Sequence, residues 1–146
     1  MLHPNPKDTL FLGLGTGVTA SSAVSLKTVK SIEIVELIPE VVEAVSTLNE
    51  QNLNVLDNQK TNVICDDARH FLRTREKQYD VIVADLFVPW ESQTGYLYTE
   101  EHYKTIGKRL RPDGYFFQCL AVYQLGDQQL NCILDSMKKE DRKSVV

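Results

Sequence analysis

The sequence has no hydrophobic run that approaches the roughly 20 apolar residues a membrane-crossing helix needs. Its start, Met1-Leu2-His3-Pro4-Asn5-Pro6-Lys7, lacks the apolar stretch of a secretory signal. A basic surplus is missing too. With 16 Lys and Arg against 20 Asp and Glu, the net charge is −4 and the pI near 5.4. The basic residues are scattered rather than gathered on one face, which excludes the electrostatic footprint of a nucleic-acid binder. Cysteine is scarce. Cys65, Cys119 and Cys132 are odd in number, far apart and set in apolar segments, so they read as reduced core residues of a cytoplasmic protein, with neither disulfide nor zinc implied. The expectation is a soluble chain with no nucleic-acid partner and no membrane.

What is present is a glycine cluster. Leu10-Phe11-Leu12-Gly13-Leu14-Gly15-Thr16-Gly17 is an apolar run ending in alternating glycines, read as a buried strand turning into a helix around a nucleotide. Glycine permits the tight turn and lets a ligand lie on bare backbone, while the helix beginning near Val18 directs its first amides at it. The spacing is GxGxG. A dinucleotide loop has GxGxxG, and Val18 stands where its third glycine would be, which disfavours a nicotinamide cofactor. About 20 residues beyond the loop, Ser31-Ile32-Glu33-Ile34-Val35-Glu36 reads as a strand ending in a carboxylate, the place of a ribose-binding acid. Glu36 is the candidate for the ribose hydroxyls; its other reading is a favourable charge at the start of the next helix.

A chain of 146 residues fits one domain, and 1–146 is read as a single nucleotide-binding α/β domain with a charged tail from about Lys138 to Val146. Apolar runs at Thr9 to Leu14, Ser31 to Val35, Asn62 to Cys65, Val81 to Ala84 and Tyr115 to Leu120 alternate with helical patterns. They predict a Rossmann-like open parallel sheet of about five strands flanked by helices. Ile38, Val41, Val42, Val45 and Leu48, and later Leu130, Ile133, Leu134 and Met137, form stripes expected to face the core. Arg111-Pro112-Asp113-Gly114 is expected to stop a helix before the last strand, and Asn49 to Asn54 to loosen the chain after another. The tail offers no further strand, so the last strand is expected near an exposed edge that a second copy covers in a homodimer.

Two more acids fall on the ligand edge. Asp67, in Asp66-Asp67-Ala68, either accepts a hydrogen bond from an adenine amino group or caps the helix through Arg69-His70-Phe71-Leu72. Asp85, ending Tyr79-Asp80-Val81-Ile82-Val83-Ala84-Asp85, is either a proton acceptor with apolar neighbours or a solvated strand-end carboxylate. His70 and His102 lack a partner at metal-ligand spacing and read as surface or packing residues. Trp90, Tyr96 and Tyr98 line a substrate cleft or pack.

In this order, the glycine loop, the acid-ended second strand, Asp66-Asp67-Ala68, Tyr79 to Asp85, Leu97-Tyr98-Thr99-Glu100-Glu101-His102-Tyr103 and Phe117-Gln118-Cys119 resemble the spermidine synthases, most closely the spermidine-synthase-like proteins of bacteria, some of which are fused to membrane segments. The resemblance runs from about Leu2 to Met137. It implies the fold of class I S-adenosylmethionine-dependent methyltransferases and transfer of an aminopropyl group from decarboxylated S-adenosylmethionine to an amine such as putrescine, without a metal. Gly13, Gly15 and Gly17 would then approach the nucleoside, Glu36 hold the ribose, Asp67 with the Ala68 amide hold the adenine, and Asp85 act as base. Gln118 matches a family glutamine at the active-site edge; Trp90 and Tyr98 stay candidates for the substrate cleft from their aromatic character alone. Three departures stand out. Thr16 occupies the place of a loop aspartate that holds the aminopropyl amine, Val88 that of a second aspartate before proline, and the N-terminal hairpin and closing C-terminal antiparallel strands are not represented. A fold core or truncated reading frame is the expectation, and two rival functions stay open: methyl transfer from S-adenosylmethionine itself, and a catalytically silent nucleotide-binding or assembly module.

Overall fold

The first apolar run forms the middle of the sheet. In the computed structural model, which describes residues 3–85, 94–139 and 144–145, β1 (Asp8–Leu12) pairs in parallel with β2 (Ser31–Glu36) on one side and β4 (Tyr79–Ala84) on the other. Beyond β2 lies β3 (Thr61–Cys65), and beyond β4 lies β5 (Leu110–Gln118), both again parallel. A two-residue strand, β6 (Ser144–Val145), flanks β5, giving the order β3-β2-β1-β4-β5-β6. Strand order reverses between β1 and β4, and the crevice outside the carboxyl ends at such a reversal is where open α/β sheets take their ligands.

Alternation along the strands sorts the core into two layers. Leu10 and Leu12 of β1 join Val35, Ile82 and Phe116 on one face, beneath Phe71 and Leu72 of α3 (Ala68–Thr74), Tyr103 and Ile106 of α4 (Glu100–Arg109) and Met137 of α5 (Asp127–Lys138). Phe11 joins Ile32 and Ile34 on the other, beneath Ala20 and Ala23 of α1 (Val18–Val24) and Val45 of α2 (Pro39–Val45). The Rossmann-like arrangement read from the sequence is therefore the one observed. Among the described residues, no helix is long and apolar enough to cross a membrane.

Four local expectations need correction. Ile38 does not share the α2 stripe: it precedes the helix with an extended backbone (φ −107°, ψ 106°) and stays 50% exposed. The three cysteines are free and exposed rather than core. Cys65 closes an edge strand and Cys119 lies just past the end of β5, where apolar neighbours in sequence do not guarantee cover. The last strand begins earlier than expected, because Leu110 pairs with Tyr79 before Arg111 to Gly114 bulge out and pairing resumes at Tyr115 with Val81. Finally, the tail does supply a strand: Ser144 and Val145 lie beside Phe116 and Phe117. That covers β5 at two positions, where the expectation had a second copy covering the edge.

At the opposite end of the sheet from the glycine loop, one carboxylate ties the layers of strand together. Asp80 Oδ2 accepts from the amides of Lys7 and Asp8 at 2.7 and 2.9 Å and from Arg111 Nη1 at 2.7 Å. Arg111 Nη2 reaches Asp8 Oδ2 at 2.6 Å. Burial opposes the charge on Asp80, but the amide and guanidinium donors outweigh it and hold its pKa below the ordinary carboxylate value. Asp80→Ala would strand two amides and half of the guanidinium fork, so it is expected to lower stability by about 2–4 kcal/mol in urea unfolding; a loss within experimental error of zero would show that these donors find water instead.

Candidate functional site

The glycine loop leaves β1 with three left-handed residues in alternation: Gly13 (φ 92°), Gly15 (φ 53°) and Gly17 (φ 79°). Side chains other than glycine rarely adopt such angles. At Gly17 space forbids them as well, since a Cβ there would sit 3.0 Å from Val55 Cγ1 and 3.2 Å from Asn52 Nδ2. The loop is held in shape by the end of β2. Gly13 N donates to Val35 O at 2.8 Å, and Leu14 N donates to Glu36 Oε2 at 2.9 Å. Glu36 Oε1 accepts from Ile38 N at 2.9 Å. The buried Glu36 carboxylate thus joins the glycine loop to the turn that opens α2, and each oxygen keeps a lone pair for a further donor.

Asn52 is the residue that sequence reasoning missed. It is fully buried, and its Nδ2 donates to Thr16 O at 3.4 Å and Val45 O at 3.3 Å. Both amide protons facing carbonyls fixes which way the side chain points. Its Oδ1 is buried without a partner. Leu53 and Asn54 follow in left-handed conformations (φ 55° and 51°), so the segment expected to be merely loose is a tightly specified support beneath the loop. Asparagine is so common in turns that its type alone carried no signal of this role.

Asp67 and Asp85 reach the same edge from β3 and β4, on either side of the β2–β1 pair. Asp66 N donates to Glu36 O at 3.0 Å, which sets the Asp66-Asp67 turn beside the end of β2. The capping reading of Asp67 is realised: Oδ1 accepts from Arg69 N at 2.7 Å, and Arg69 closes a fork on the carboxylate at 3.1 and 2.6 Å. That side-chain bond to Arg69 is the main reason the Asp67 pKa is lowered to about 2, against a smaller opposing effect of burial. Ala68 opens α3 directly after it. His70 is exposed and pairs with Asp66 at 2.9 Å, and His102 is buried, in keeping with surface and packing roles. Asp85 follows β4, its amide donating to Leu12 O at 3.1 Å. A Cβ on Gly15 would lie 3.6 Å from Asp85 Oδ2, so the carboxylate stands over the glycine loop.

The wall beside Asp85 comes from β5 and the turn before α4. Cys119 N donates to Ala84 O at 3.1 Å; burial and then the neighbouring Asp85 charge push the Cys119 thiol up. Gln118 is buried, with Oε1 accepting from Tyr103 Oη at 2.8 Å. The Tyr98 hydroxyl lies close by, pushed up to about 12 mainly by burial. Gly13, Gly15, Gly17, Glu36 and Asp85 are therefore brought together, Asp67 and Ala68 adjoin them, and Gln118 and Tyr98 line the flank. Trp90 lies outside the described residues. Tyr96 is 61% exposed, its ring covered by the Arg69 guanidinium rather than packed in the core. Val18, Leu37 and Leu53 follow Gly17, Glu36 and Asn52 directly and are about half or more exposed.

Comparison with known proteins converges on one family. The spermine/spermidine synthase domain matches residues 1–144. The polyamine aminopropyltransferase of Methanocaldococcus jannaschii is 36% identical over 116 residues, covering 80% of this chain and 39% of that protein. Thermospermine synthase ACAULIS5 of Arabidopsis thaliana is 33% identical over 118 residues, covering 80% and 35%. Among solved structures, a spermidine synthase bound to the transition-state analogue AdoDATO superposes with a TM-score of 0.84 at 27% identity, over 94% of this chain and 47% of that one. The spermidine synthase of Thermotoga maritima gives 0.80 at 25%, over 94% and 46%. The chain spans about two-fifths of the length of the curated relatives it matches.

Two outcomes follow for this edge. Gly17→Ala should cost about 2–4 kcal/mol, from the left-handed backbone and the Val55 and Asn52 contacts together; thermal unfolding measures it, and an unchanged Tm would mean that the support beneath the loop yields. Because the folded Asp67 pKa is depressed, its contribution to stability is present above the ordinary value of 3.8 and is lost as pH falls towards 2. The Tm difference between the parent and Asp67→Ala is accordingly expected to be full at about pH 5 and to shrink through that acid window.

Proposed function

The chain belongs to the spermine/spermidine synthase family, and from that premise we propose that it moves an aminopropyl group from decarboxylated S-adenosylmethionine to an amine such as putrescine, with Asp85 as general base. The observation that carries this reading is the placement of the Asp85 carboxylate over the glycine loop, at the strand-order reversal and beside the Glu36 anchor. In this chemistry the lone pair of the amine nitrogen attacks the carbon next to the sulfonium. The carbon–sulfur bond breaks, its electron pair stays on sulfur, and neutral methylthioadenosine departs. The nitrogen sheds a proton, which Asp85 accepts.

The remaining residues bind and orient. Glu36, already holding Leu14 and Ile38, offers its spare lone pairs to the ribose hydroxyls, and the glycines let the nucleoside lie close to the backbone. Asp67, held ionised by Arg69, and the Ala68 amide meet the adenine edge, while Leu37 and Leu53 supply apolar cover. Gln118 and Tyr98 present polar atoms on the acceptor side of Asp85. Holding amine and sulfonium carbon in line supplies several kcal/mol of the barrier, and a placed base adds roughly 10²-fold or more.

Thr16 supports a second reading. Its side chain brings no carboxylate to the loop, so the charge that would hold a donor amine is missing there, and methyl transfer from intact S-adenosylmethionine competes. Relative affinity for the intact and decarboxylated donors separates the two. The leading test is calorimetric titration with methylthioadenosine: micromolar binding supports the nucleoside site, and no binding removes it. Asp85→Asn is expected to abolish transfer while leaving that affinity within a few-fold; unchanged turnover would sink the assignment of the base.

A further inference from the structure

Gln118 ends β5 with Ala84, the residue before Asp85, as its register partner, which places it at the carboxyl edge of the sheet beside the strand that carries the base. The side chain is 5% exposed. Its Oε1 accepts from Tyr103 Oη of α4 at 2.8 Å, while its Nε2 is buried with no hydrogen-bond partner among the described residues. A buried amide ordinarily finds partners for its hydrogens, and folding alone gives these none.

Tyr103 decides which end of the amide is left over. Its hydroxyl is buried, and among the described residues its one hydrogen-bond partner is Gln118. Burial pushes the Tyr103 hydroxyl up, so the phenol keeps its proton, and that proton needs an acceptor. Oε1 can accept it and Nε2 cannot, so the amide oxygen is spent on α4 and the two amide hydrogens remain. The next polar group is the Tyr98 hydroxyl, pushed up to about 12 by burial and then by Cys119. The Gln118 amide acts against that rise, as hydrogens turned toward the Tyr98 oxygen do, yet Nε2 stops short of a hydrogen bond to it.

This flank is therefore polar without being charged: an amide whose oxygen is used, two protonated phenols and the Cys119 thiol, itself pushed up by burial and by Asp85. Leu97, Leu120, Leu125 and Ile133 pack around Tyr98. An ammonium group brought here gives up its water and meets hydrogens where it needs oxygens; a hydroxyl oxygen meets the donor that lacks a partner. Asp85, the charged neighbour, is engaged by the reacting nitrogen. Resting on the amine-transfer reading above, we infer that the acceptor amine carries at its far end an uncharged oxygen, such as a hydroxyl, that accepts from Gln118 Nε2, with Tyr103 as the positioning residue that keeps this donor turned to it. An amino alcohol is then preferred to the diamine of equal length.

The probes are putrescine and the amino alcohol made by replacing one of its amines with a hydroxyl. Calorimetry on the whole chain measures the binding of each, with methylthioadenosine present and without it. The amino alcohol is expected to bind tighter by about tenfold or more, roughly the worth of one hydrogen bond kept and one buried charge avoided. Gln118→Glu sets a carboxylate where the amide stood and is expected to invert the preference. Tyr103→Phe frees the amide to turn its oxygen round and is expected to bring the two affinities within about threefold. A general loosening of the fold does not move this ratio, because both ligands are compared on the same protein, and thermal unfolding shows whether each variant is folded. Putrescine binding as tightly as the amino alcohol in the parent, no binding of either probe, or a parental ratio in either folded variant overturns the inference. Methylthioadenosine is titrated separately: a chain that binds it but shows no preference for the amino alcohol keeps the nucleoside site and loses this assignment, and a chain that shows the preference without binding methylthioadenosine keeps this assignment and loses the transfer reading.

Discussion

The Glu36 carboxylate is the point through which the site is built. One oxygen holds Leu14 of the glycine loop, the other holds Ile38 at the start of the next helix, and the acid itself is buried at the end of β2. A glycine loop with three left-handed residues has little intrinsic preference for one shape. What selects the shape is a fixed acceptor on a strand that cannot move, with Asn52 closing from beneath. Asp85 then meets a loop already in place. An anion buried in this way is tolerated because backbone donors compensate its lost hydration.

Much of this was legible because it depends on patterns that strands and loops cannot avoid. Apolar runs of strand length, alternating with helical stripes, specify a parallel sheet, and a carboxylate at the end of such a run must lie on the ligand edge. By that argument Glu36, Asp67 and Asp85 were expected at the carboxyl ends of β2, β3 and β4, where they lie. The family resemblance added the roles that the proposed function gives the glycines, Glu36 and Asp85. Where the reading failed, the missing information was three-dimensional. Periodicity says which residues share a face but not whether another layer covers it, which is why Cys65 and Cys119 were expected inside and lie outside. Asn52 acts across 36 positions on Thr16 and had no local mark. The excursion at Arg111 to Gly114 looked like a turn between elements, because a strand that breaks register and resumes has the composition of a loop.

Helix α3 shows how few residues can serve several ends. Asp67 at its start caps the helix, stands on the same sheet edge as the glycine loop and fixes Arg69. Arg69 in turn floors the cavity shared with α4 and flattens against Tyr96. A change at Asp67 therefore reaches both regions through one side chain, although they open on different parts of the surface.

The Asp8–Arg111 pair bears on how the chain is made. β1 is made before β4 but occupies the centre of the sheet, and the amide of Asp8 has no side-chain acceptor until Asp80 is synthesised 72 residues later. Arg111, 103 positions away, completes the cluster later still. Between the synthesis of β1 and that of β4 the nascent chain carries an apolar central strand with one side unpaired. Contacts of such sequence separation make folding slow, and the growing polypeptide is sticky for that interval: the same central placement that steadies the finished protein makes its birth the period of greatest exposure to aggregation.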